Sequence, residues 1–384
     1  MIQQQYKSEQ FAFRDELTGR TVRQLTRGSS NNYHLYFTDN SFTAGASEIY
    51  FLSDRASSHA GLYNLFRMNL DSGIMTQLTD EPLGVLFCTK TPDSEIVVYI
   101  TGKKVIKLDT TTLKTKLLYE EKGQVVLSAP FISPNKKVVG FPRNEEMPFR
   151  IGSNYSHFKE MMYAVKKGWI TLAFLDGSGA YDLFEDTHWL THFQFAPDDD
   201  HVALFCHEGP WNLVNQRMWL LDLVSRSVKP CFRQGEDDCV GHEFWTRDGL
   251  IFFDNRRKGH DGTITSSKKQ ATVEDTWDPT DSKPIPYIGL ADKDGHVVKK
   301  IDLPHYCNHY HANPSNSLLV GDEVEDLVLI DLTSNPPLLT KLCSHHTSWQ
   351  NGLTHCHPTF NWGGDQILFA SDRDGTIHLY LVEL

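Results

Sequence analysis

The sequence lacks the features that mark several common classes of protein. None of its 384 residues belongs to an apolar run approaching the roughly 18 residues that a membrane-spanning helix needs. Met1 to Gln5 contain no basic segment followed by an apolar run, so we expect no secretory signal. A helical hydrophobic period is almost absent and appears only weakly, at 157–165. These absences favour a soluble protein with few helices.

Cysteine and positive charge are also limited. The seven cysteines are an odd number without regular spacing, which fits a reducing compartment better than a disulfide framework. We therefore expect a cytoplasmic protein. The 49 acidic residues outnumber the 37 basic ones, and the formal net charge is −12. Because the acids are scattered through turns, this balance argues against nucleic acid or an anionic membrane as a partner.

In place of these features, the sequence has a repeated strand pattern. Short runs with a period of two, bounded by Asp, Gly, Ser and Pro, predict β-strands. A strand that ends in a small residue plus Asp recurs, followed by a turn and an aliphatic strand. The copies are spaced by roughly 45 residues, the period of four-stranded propeller blades. They centre on 48–80, 97–119, 202–222, 250–254, 317–331 and 366–372.

The two ends of the chain are predicted to complete one blade together. Residues 376–382 form a last strand, whereas 21–26 have the pattern of a strand without a blade of its own. Pairing of these strands would hide sheet edges that otherwise invite aggregation. We therefore expect residues 1–384 to form a single all-β propeller domain, and the period alone allows six to eight blades. Segment 258–286 is predicted to be an exposed loop.

Histidine is abundant, with 18 residues in the chain. The inner strands of a propeller line a central channel, so histidines at the start of these strands converge on one axis. Imidazole serves both proton transfer and metal binding. The candidates are His34, His192, His207, His242, His309, His311, His355 and His357.

Two pairs of histidines predict a metal site. His355 and His357 stand two apart, which on an extended strand points both side chains to one face, and His309 and His311 repeat this one blade earlier. With Gln350 as an oxygen donor, they would form a mixed ligand set. One such pair alone is more often exposed or hydrogen-bonded than metal-bound. With two such pairs in adjacent blades, a metal site and a set of exposed or hydrogen-bonded histidines are equally good interpretations.

A second group of candidates surrounds His242 and Arg217. His242 lies in the phrase 241–245, and Arg217 lies in 216–219, shortly after the phrase 207–210. A histidine with a near-neutral pKa can act as a general base, and the planar fork of arginine fits a carboxylate. Simpler roles are equally open, since Arg217 can pair with a turn aspartate and His242 can cap a strand.

Short phrases spread over nearly the whole chain stand in a recognisable order. They are 34–37, 207–210 with 216–219, 241–245, and 355–358 with Gln350 upstream. In this order they resemble the oligogalacturonate lyase family of polysaccharide lyases. The resemblance implies a seven-bladed β-propeller that cleaves short oligogalacturonides of the digalacturonate class by β-elimination, with a manganese-type ion in the channel.

The resemblance also implies roles for single residues. His242 would remove the C5 proton of a uronate and Arg217 would pair with the uronate charge, while His34, His192 and His207 are assigned to substrate binding. The C5 proton is too weakly acidic for an imidazole unless a cation neutralises the adjacent carboxylate. Arg217 and a divalent ion can both do this. The leaving oxygen takes its proton from His242, His192 or water.

For the metal, the resemblance implies His355, His357, Gln350 and one of His309 and His311, with His309 favoured. Mixed imidazole and amide-oxygen ligands suit Mn²⁺, Fe²⁺, Ni²⁺ or Zn²⁺ better than Ca²⁺. We expect a divalent ion, and the resemblance points to Mn²⁺.

Two alternatives remain open for the function. One is a lyase for a different uronic-acid oligosaccharide, because the same base and cation serve any uronate with an acidic C5 proton. The other is a non-catalytic scaffold, TolB-like or WD40-like, since fold does not settle function. A scaffold has no need for several ionisable groups in its channel, so the inward histidines and Arg217 favour a lyase. The expected partner is a small acidic oligosaccharide.

Overall fold

Seven antiparallel sheets surround a central channel, so the chain is a seven-bladed β-propeller. The structure is a computed structural model that describes residues 2–57, 59–152, 155–256, 258–264, 286–303, 307–350 and 354–384. The seven sheets confirm the all-β propeller fold predicted from the sequence. None of the helices in these ranges is long and apolar enough to cross a membrane.

The first three blades lie within the chain up to residue 186. In chain order, the elements are β1 (Gln5–Tyr6), β2 (Phe11–Arg14), β3 (Thr21–Gln24), β4 (Asn32–His34), β5 (Glu48–Ser53), β6 (Asn64–Asn69), β7 (Met75–Gln77), β8 (Phe87–Lys90), β9 (Ile96–Thr101), β10 (Lys104–Asp109), β11 (Thr115–Glu120), β12 (Val125–Leu127), β13 (Phe131–Ile132), β14 (Val138–Glu145), α1 (Phe158–Ala164), β15 (Gly168–Phe174) and β16 (Ala180–Asp186). Blade 1 has the order β1-β7-β6-β5-β4, blade 2 β11-β10-β9-β8, and blade 3 β12-β14-β15-β16, where β13 also pairs with β14.

The remaining chain forms blades 4 to 7. Its strands are β17 (Leu190–Ala196), β18 (Asp199–His207), β19 (Met218–Asp222), β20 (Val228–Pro230), β21 (Cys239–Trp245), β22 (Ile251–Arg256), β23 (Tyr287–Ala291), β24 (Val297–Asp302), β25 (Tyr310–Ala312), β26 (Leu318–Asp322), β27 (Asp326–Asp331), β28 (Leu338–Ser344), β29 (Thr359–Phe360), β30 (Gln366–Ser371) and β31 (His378–Glu383). Blades 4, 5 and 6 each use four consecutive strands, and blade 7 has the order β2-β3-β31-β30-β29.

The apolar core lies between neighbouring blades. Strand β9 shows why, because successive side chains of a strand point to opposite faces. Val97 and Tyr99 pack in a cluster with blade 1, whereas Val98 and Ile100 pack in a cluster with blade 3. All four are buried, and full burial of each aliphatic one stabilises the fold by about 1.5–3 kcal/mol. The middle strands are therefore nearly continuous hydrophobic runs.

A polar turn joins the innermost strand of most blades to the second strand. In blade 2, Thr91 Oγ1 accepts a hydrogen bond from the Ile96 N–H at 3.2 Å. Short polar side chains stabilise turns in this way because they satisfy backbone donors locally. The same bond recurs at Thr43, Ser133, Thr246, Asn313 and Asn361.

A strand from the N-terminal segment and the last strand of the chain meet in blade 7. Strand β3 pairs antiparallel with β31, with Val22 opposite Val382. Both valines are buried. The N-terminal segment also contributes β2 to the outer edge of this blade and β1 to the outer edge of blade 1, two strands that the sequence pattern does not reveal.

Blade 3 departs most from the regular repeat, and the repeat pattern does not detect it. Its inner edge consists of two short strands, β12 and β13, that pair with different parts of β14. The connection from β14 to β15 contains α1, within the segment 157–165 where the sequence shows a weak helical period. The irregular segment 258–286 lies largely outside the described residues.

Candidate active site

Bulges in two inner strands turn histidines towards the channel. The pairing of β17 with β18 shifts between Thr191 and Gln194, and the pairing of β21 with β22 shifts between Gly241 and Phe244. His192 and His242 lie in these bulges with positive φ values of 51° and 49°. Bulges re-aim side chains and often occur beside functional sites, and a non-glycine residue with this φ is uncommon.

Three histidines from blades 6 and 7 form a compact cluster. The ligand atoms of His309, His355 and His357 all lie within 4.8 Å of one another. The ring centre of His309 is 4.1 Å from that of His357 and 5.2 Å from that of His355. Asp322 accepts hydrogen bonds from the backbone N–H of His309 at 2.5 Å and from its Nδ1 at 2.8 Å. Because Nδ1 is bonded to the carboxylate, Nε2 is the nitrogen of His309 that is placed to bind a metal, as in carboxylate-supported metal ligands.

The electrostatic environment keeps His355 and His357 uncharged. Burial, followed by the neighbouring His309, lowers the pKa of His355 to about 2. Burial and the adjacent histidines also hold the pKa of His357 well below its usual value. A neutral imidazole has the lone pair that metal coordination requires. The donor set therefore fits a divalent transition ion.

His311 lies outside the cluster, although the pattern predicts that its side chain shares a face with that of His309. Its ring stacks on Phe244 at 5.7 Å, and its Nδ1 accepts a hydrogen bond from the Phe360 N–H at 3.2 Å. The reason is that β25 begins at Tyr310, so His309 precedes the regular strand and escapes its alternation.

Gln350 is exposed, and its backbone N–H donates to Ser348 Oγ at 3.3 Å. Residues 351–353, which connect it to the cluster, lie outside the described residues. Its assignment as a metal ligand stays a prediction.

His242 lies beside the cluster and is supported by a carboxylate. Its ring centre is 4.9 Å from that of His309. Its Nδ1 lies 3.1 Å from Asp254 Oδ1, and Arg256 donates to the other oxygen of Asp254 at 2.6 Å. Burial, only partly opposed by Asp254, lowers the pKa of His242 to about 4. Because an ionised carboxylate only accepts, Nδ1 is protonated and Nε2 can act as a base.

Arg217 pairs with two glutamates and not with a turn aspartate. The guanidinium contacts Glu208 Oε1 at 2.6 Å and Glu243 Oε2 at 3.1 Å, and its side chain is buried. Burial opposes its charge, but the two carboxylates outweigh this and hold its pKa well above the usual value. Burial by itself would raise the pKa of Glu208, but the charge of Arg217 outweighs burial, so the pKa of Glu208 lies below its usual value. The guanidinium is thus occupied within the protein.

The three histidines predicted to bind substrate occupy different positions. His192 lines a cavity in the channel, and its Nε2 lies 3.3 Å from Glu208 Oε2. His34 also lines this cavity, but its ring nitrogens contact the carbonyl oxygens of Leu35 and Cys356 at 2.7 and 3.1 Å. His207 lies on the second strand of blade 4, and its Nε2 contacts Asp186 at 3.0 Å.

The cavity has a volume of about 320 Å³ and opens beside the histidine cluster, with His355 and His357 in its wall. Tyr36 extends from blade 1 and lies 5.1 Å from the ring of His357. Phe37 contacts the rings of His242, His309 and His357. A second cavity of about 710 Å³ lies at the polar turns described above.

Sequence reasoning missed the carboxylates that hold the site together. Asp322 ends a second strand, whereas Asp54 and Asp372 directly follow one, and each accepts a backbone N–H from the segment leading into the inner strand of its own blade. The recurring small residue plus Asp is the signal that could have found them. In blade 5, Asp254 lies within the second strand, β22, opposite Gly241 of the inner strand.

Known proteins are similar to this chain in sequence and in fold. A family model described as oligogalacturonate lyase matches residues 3–384. The oligogalacturonide lyase of Pectobacterium atrosepticum and the oligogalacturonate lyase of Dickeya dadantii are each 24% identical over 400 residues, spanning 97% of this chain and 95% of the relative.

Two solved structures, an oligogalacturonate lyase in complex with manganese and an oligogalacturonate lyase from Vibrio parahaemolyticus, each match with a TM-score of 0.83 and 23% identity. Each match covers 100% of this chain and 98% of the other. At this identity the structures show a shared fold, whereas the family match extends over nearly every residue. The chain belongs to the oligogalacturonate lyase family of polysaccharide lyases.

Proposed function

We propose that this chain cleaves short oligogalacturonides of the digalacturonate class by β-elimination, giving unsaturated uronate products. One observation carries the proposal beyond family membership. A neutral, carboxylate-supported histidine, His242, lies 4.9 Å from the ring of His309 in a cluster of three histidines suited to a divalent ion. A base beside a cation site is what removal of a uronate C5 proton requires.

His242 acts as the base in this proposal. Its Nδ1–H donates to Asp254, which leaves Nε2 to take the C5 proton. Asp254 then stabilises the imidazolium that forms, as the carboxylate of a catalytic triad does. Such a positioned base contributes about 10²- to 10⁴-fold to the rate.

His309, His355 and His357 would hold the metal ion, with Gln350 as a further candidate ligand. When bound, the ion acts as a Lewis acid that stabilises the negative charge developing on the substrate carboxylate. The proposed ion is Mn²⁺, because imidazole ligands suit transition ions better than Ca²⁺ and a solved structure of a similar lyase is described as a complex with manganese.

His192 is the substrate contact that the geometry supports best, because it lines the cavity. Arg217 has a positioning role in this proposal. It binds Glu208 and Glu243, and Glu208 in turn contacts His192. Direct pairing of Arg217 with a uronate stays a prediction.

The proposed substrate is a small acidic oligosaccharide, and the proposed location is the cytoplasm. All seven cysteines are buried free thiols, which supports a reducing compartment.

A substrate panel tests the proposal. Metal-stripped protein, reconstituted with Mn²⁺, is incubated with digalacturonate, with a uronide of a different sugar and with a neutral disaccharide as control. We expect the absorbance of a 4,5-unsaturated product with digalacturonate alone. Product from only the other uronide would overturn the substrate class, and no product from any uronide would overturn the lyase proposal.

A further inference from the structure

A second cluster of metal-ligating side chains lies away from the histidines of the channel. Asp186 ends β16, the outer strand of blade 3, and His207 ends β18 of blade 4. His188 lies in the connection between these blades. We propose that Asp186, His188 and His207 form a second divalent-metal site, which takes a borderline ion such as Zn²⁺ and clamps blade 3 to blade 4.

The geometry of the three side chains supports this site. Their ligand atoms all lie within 4.8 Å of one another. His188 Nδ1 is 2.9 Å from one oxygen of Asp186, and His207 Nε2 is 3.0 Å from the other. Two ligand atoms each about 2.1 Å from one ion, and at right angles to each other, are about 3.0 Å apart. The nitrogen–oxygen separations therefore match cis ligands of a single ion, and rotation of the exposed His188 ring out of its stack on His207 brings both lone pairs towards that ion.

The two imidazole rings are held together unusually closely. Their centres are 4.0 Å apart and their planes differ by 6°. Both nitrogens are directed at the same carboxylate, so two hydrogen bonds to Asp186 account for the arrangement when no ion is present. An ion that binds both nitrogens replaces these hydrogen bonds with coordination bonds, and each neutral ring then carries its one proton on the nitrogen that faces away from the ion.

The protonation states of Asp186 and His207 are those that metal coordination needs. Burial raises the pKa of Asp186, but hydrogen bonds from His207 and His188 outweigh it and keep the carboxyl ionised. Burial lowers the pKa of His207, partly against the attraction of Asp186. A carboxylate and a neutral imidazole are the forms that bind a metal, and a neutral ring needs only to move its proton to the other nitrogen to do so.

The ligand types and their exposure select the kind of ion. Two imidazoles and one carboxylate suit Zn²⁺, Ni²⁺ or Cu²⁺ better than Ca²⁺. The side chain of His188 is 56% exposed, whereas that of His207 is 10% exposed, so the site is anchored inside and open to solvent on one side. Thiols do not compete, because all seven cysteines are buried.

The position of the site gives the ion a structural role. The backbone N–H of His207 donates to the carbonyl of Arg217 at 2.9 Å, and Glu208 follows His207 in the chain. An ion at this position would therefore stiffen the wall that carries Glu208 and His192. The proposal does not depend on uronide cleavage, and its test uses no substrate.

Calorimetric titration of metal-stripped protein with Zn²⁺ tests the site. We expect two equivalents for the wild type and one for His188→Ala. His355→Ala removes the channel site and isolates the second one; in that background, His188→Ala should weaken Zn²⁺ binding by at least about 10-fold, since even an outer partner of a ligand commonly contributes that much. The matched control is His296→Ala, whose Nδ1 also contacts an aspartate, Asp292, at 3.2 Å in an exposed position.

Thermal unfolding provides a second measurement. A ligand that binds only the folded state stabilises it. Zn²⁺ should therefore raise the Tm of the His355→Ala variant and of the double variant His355→Ala with His296→Ala. It should not raise the Tm of the double variant His355→Ala with His188→Ala. Equal Zn²⁺ affinity with and without His188, or equal losses in the His188 and His296 variants, would overturn the site.

Discussion

His242 and its carboxylate partner form the unit on which the proposed chemistry depends. Replacing His242 with alanine should lower kcat/KM for digalacturonate by about 10²- to 10⁴-fold, because the C5 proton loses its acceptor. Asp254→Asn should produce a smaller loss, since the imidazole remains and the amide oxygen can still accept from Nδ1, but the charge that stabilises the imidazolium is gone. Steady-state kinetics measure both effects. The control is His201→Ala, which replaces an exposed histidine on β18 and should leave kcat/KM at the wild-type value. A wild-type kcat/KM for His242→Ala would contradict the assignment of His242 as the base.

The pH dependence follows from the same residue. Burial lowers the pKa of His242 to about 4, so its base form predominates at any higher pH. Provided that the protein remains folded and metal-loaded, kcat/KM should stay level from about pH 7 to about pH 5 and fall below that as the imidazole gains a proton. An acid limb centred near the ordinary histidine pKa of about 6.5 would show that another group, or a solvated histidine, is the base.

The sequence predicts which residues belong to the site better than it predicts what each one contacts. His309, His355 and His357 could be found because they lie just before inner strands, and such positions converge in any propeller. The partners of Arg217 could not, because Glu243 comes from the next blade and only the folded state brings it close. The pattern predicts that His311 shares a face with His309, but His311 lies outside the cluster, because the exact start of β25 decides which side chains follow strand alternation.

At the scale of secondary-structure elements, a buried ion-pair network joins blades 4 and 5. Arg217→Met leaves the carboxylates of Glu208 and Glu243 buried without the guanidinium that balances their charge, so it should lower the free energy of unfolding by about 3–5 kcal/mol. Urea unfolding measures this change. Lys167→Ala is the matched control, because its contact with Glu185 is exposed at 60% and 57%, and such pairs contribute less than about 1 kcal/mol. A stable Arg217→Met variant with reduced activity alone would instead support a direct role on the substrate.

The bulges explain a further limit of sequence interpretation. His192 and His242 occupy equivalent left-handed positions in neighbouring inner strands. A regular period of two assigns one face to every second residue, and it contains no signal for an extra residue in one strand. Their aim into the channel is therefore a property of the backbone that only the structure reveals.

At the scale of the whole molecule, closure of the ring depends on β3. Deleting residues 2–24 should expose the edge of β31 and cause association, because an unpaired edge offers its backbone groups to another chain. Size-exclusion chromatography with light scattering measures this outcome. Deleting only residues 2–8 removes β1 and leaves the β3–β31 pairing intact, so this control should behave as the full chain. A monodisperse 2–24 deletion with an unchanged Tm would contradict the importance of closure.

The propeller was predictable from its period, but the number of blades was not. Blade 3 is hidden because its inner edge is split into β12 and β13 and because the connection containing α1 stretches the spacing between β14 and β15. Seven blades followed from the family resemblance, and the seven sheets confirm that number.

The most direct test of the central claim measures metal content and digalacturonate cleavage together in three proteins supplied with Mn²⁺. The wild type should hold the ion and release unsaturated product. His242→Ala should hold as much Mn²⁺ in the channel site but lose cleavage, whereas His357→Ala should lose both. Cleavage by His242→Ala at the wild-type rate, or full metal content in His357→Ala, would contradict the account of a base facing a metal held by histidines.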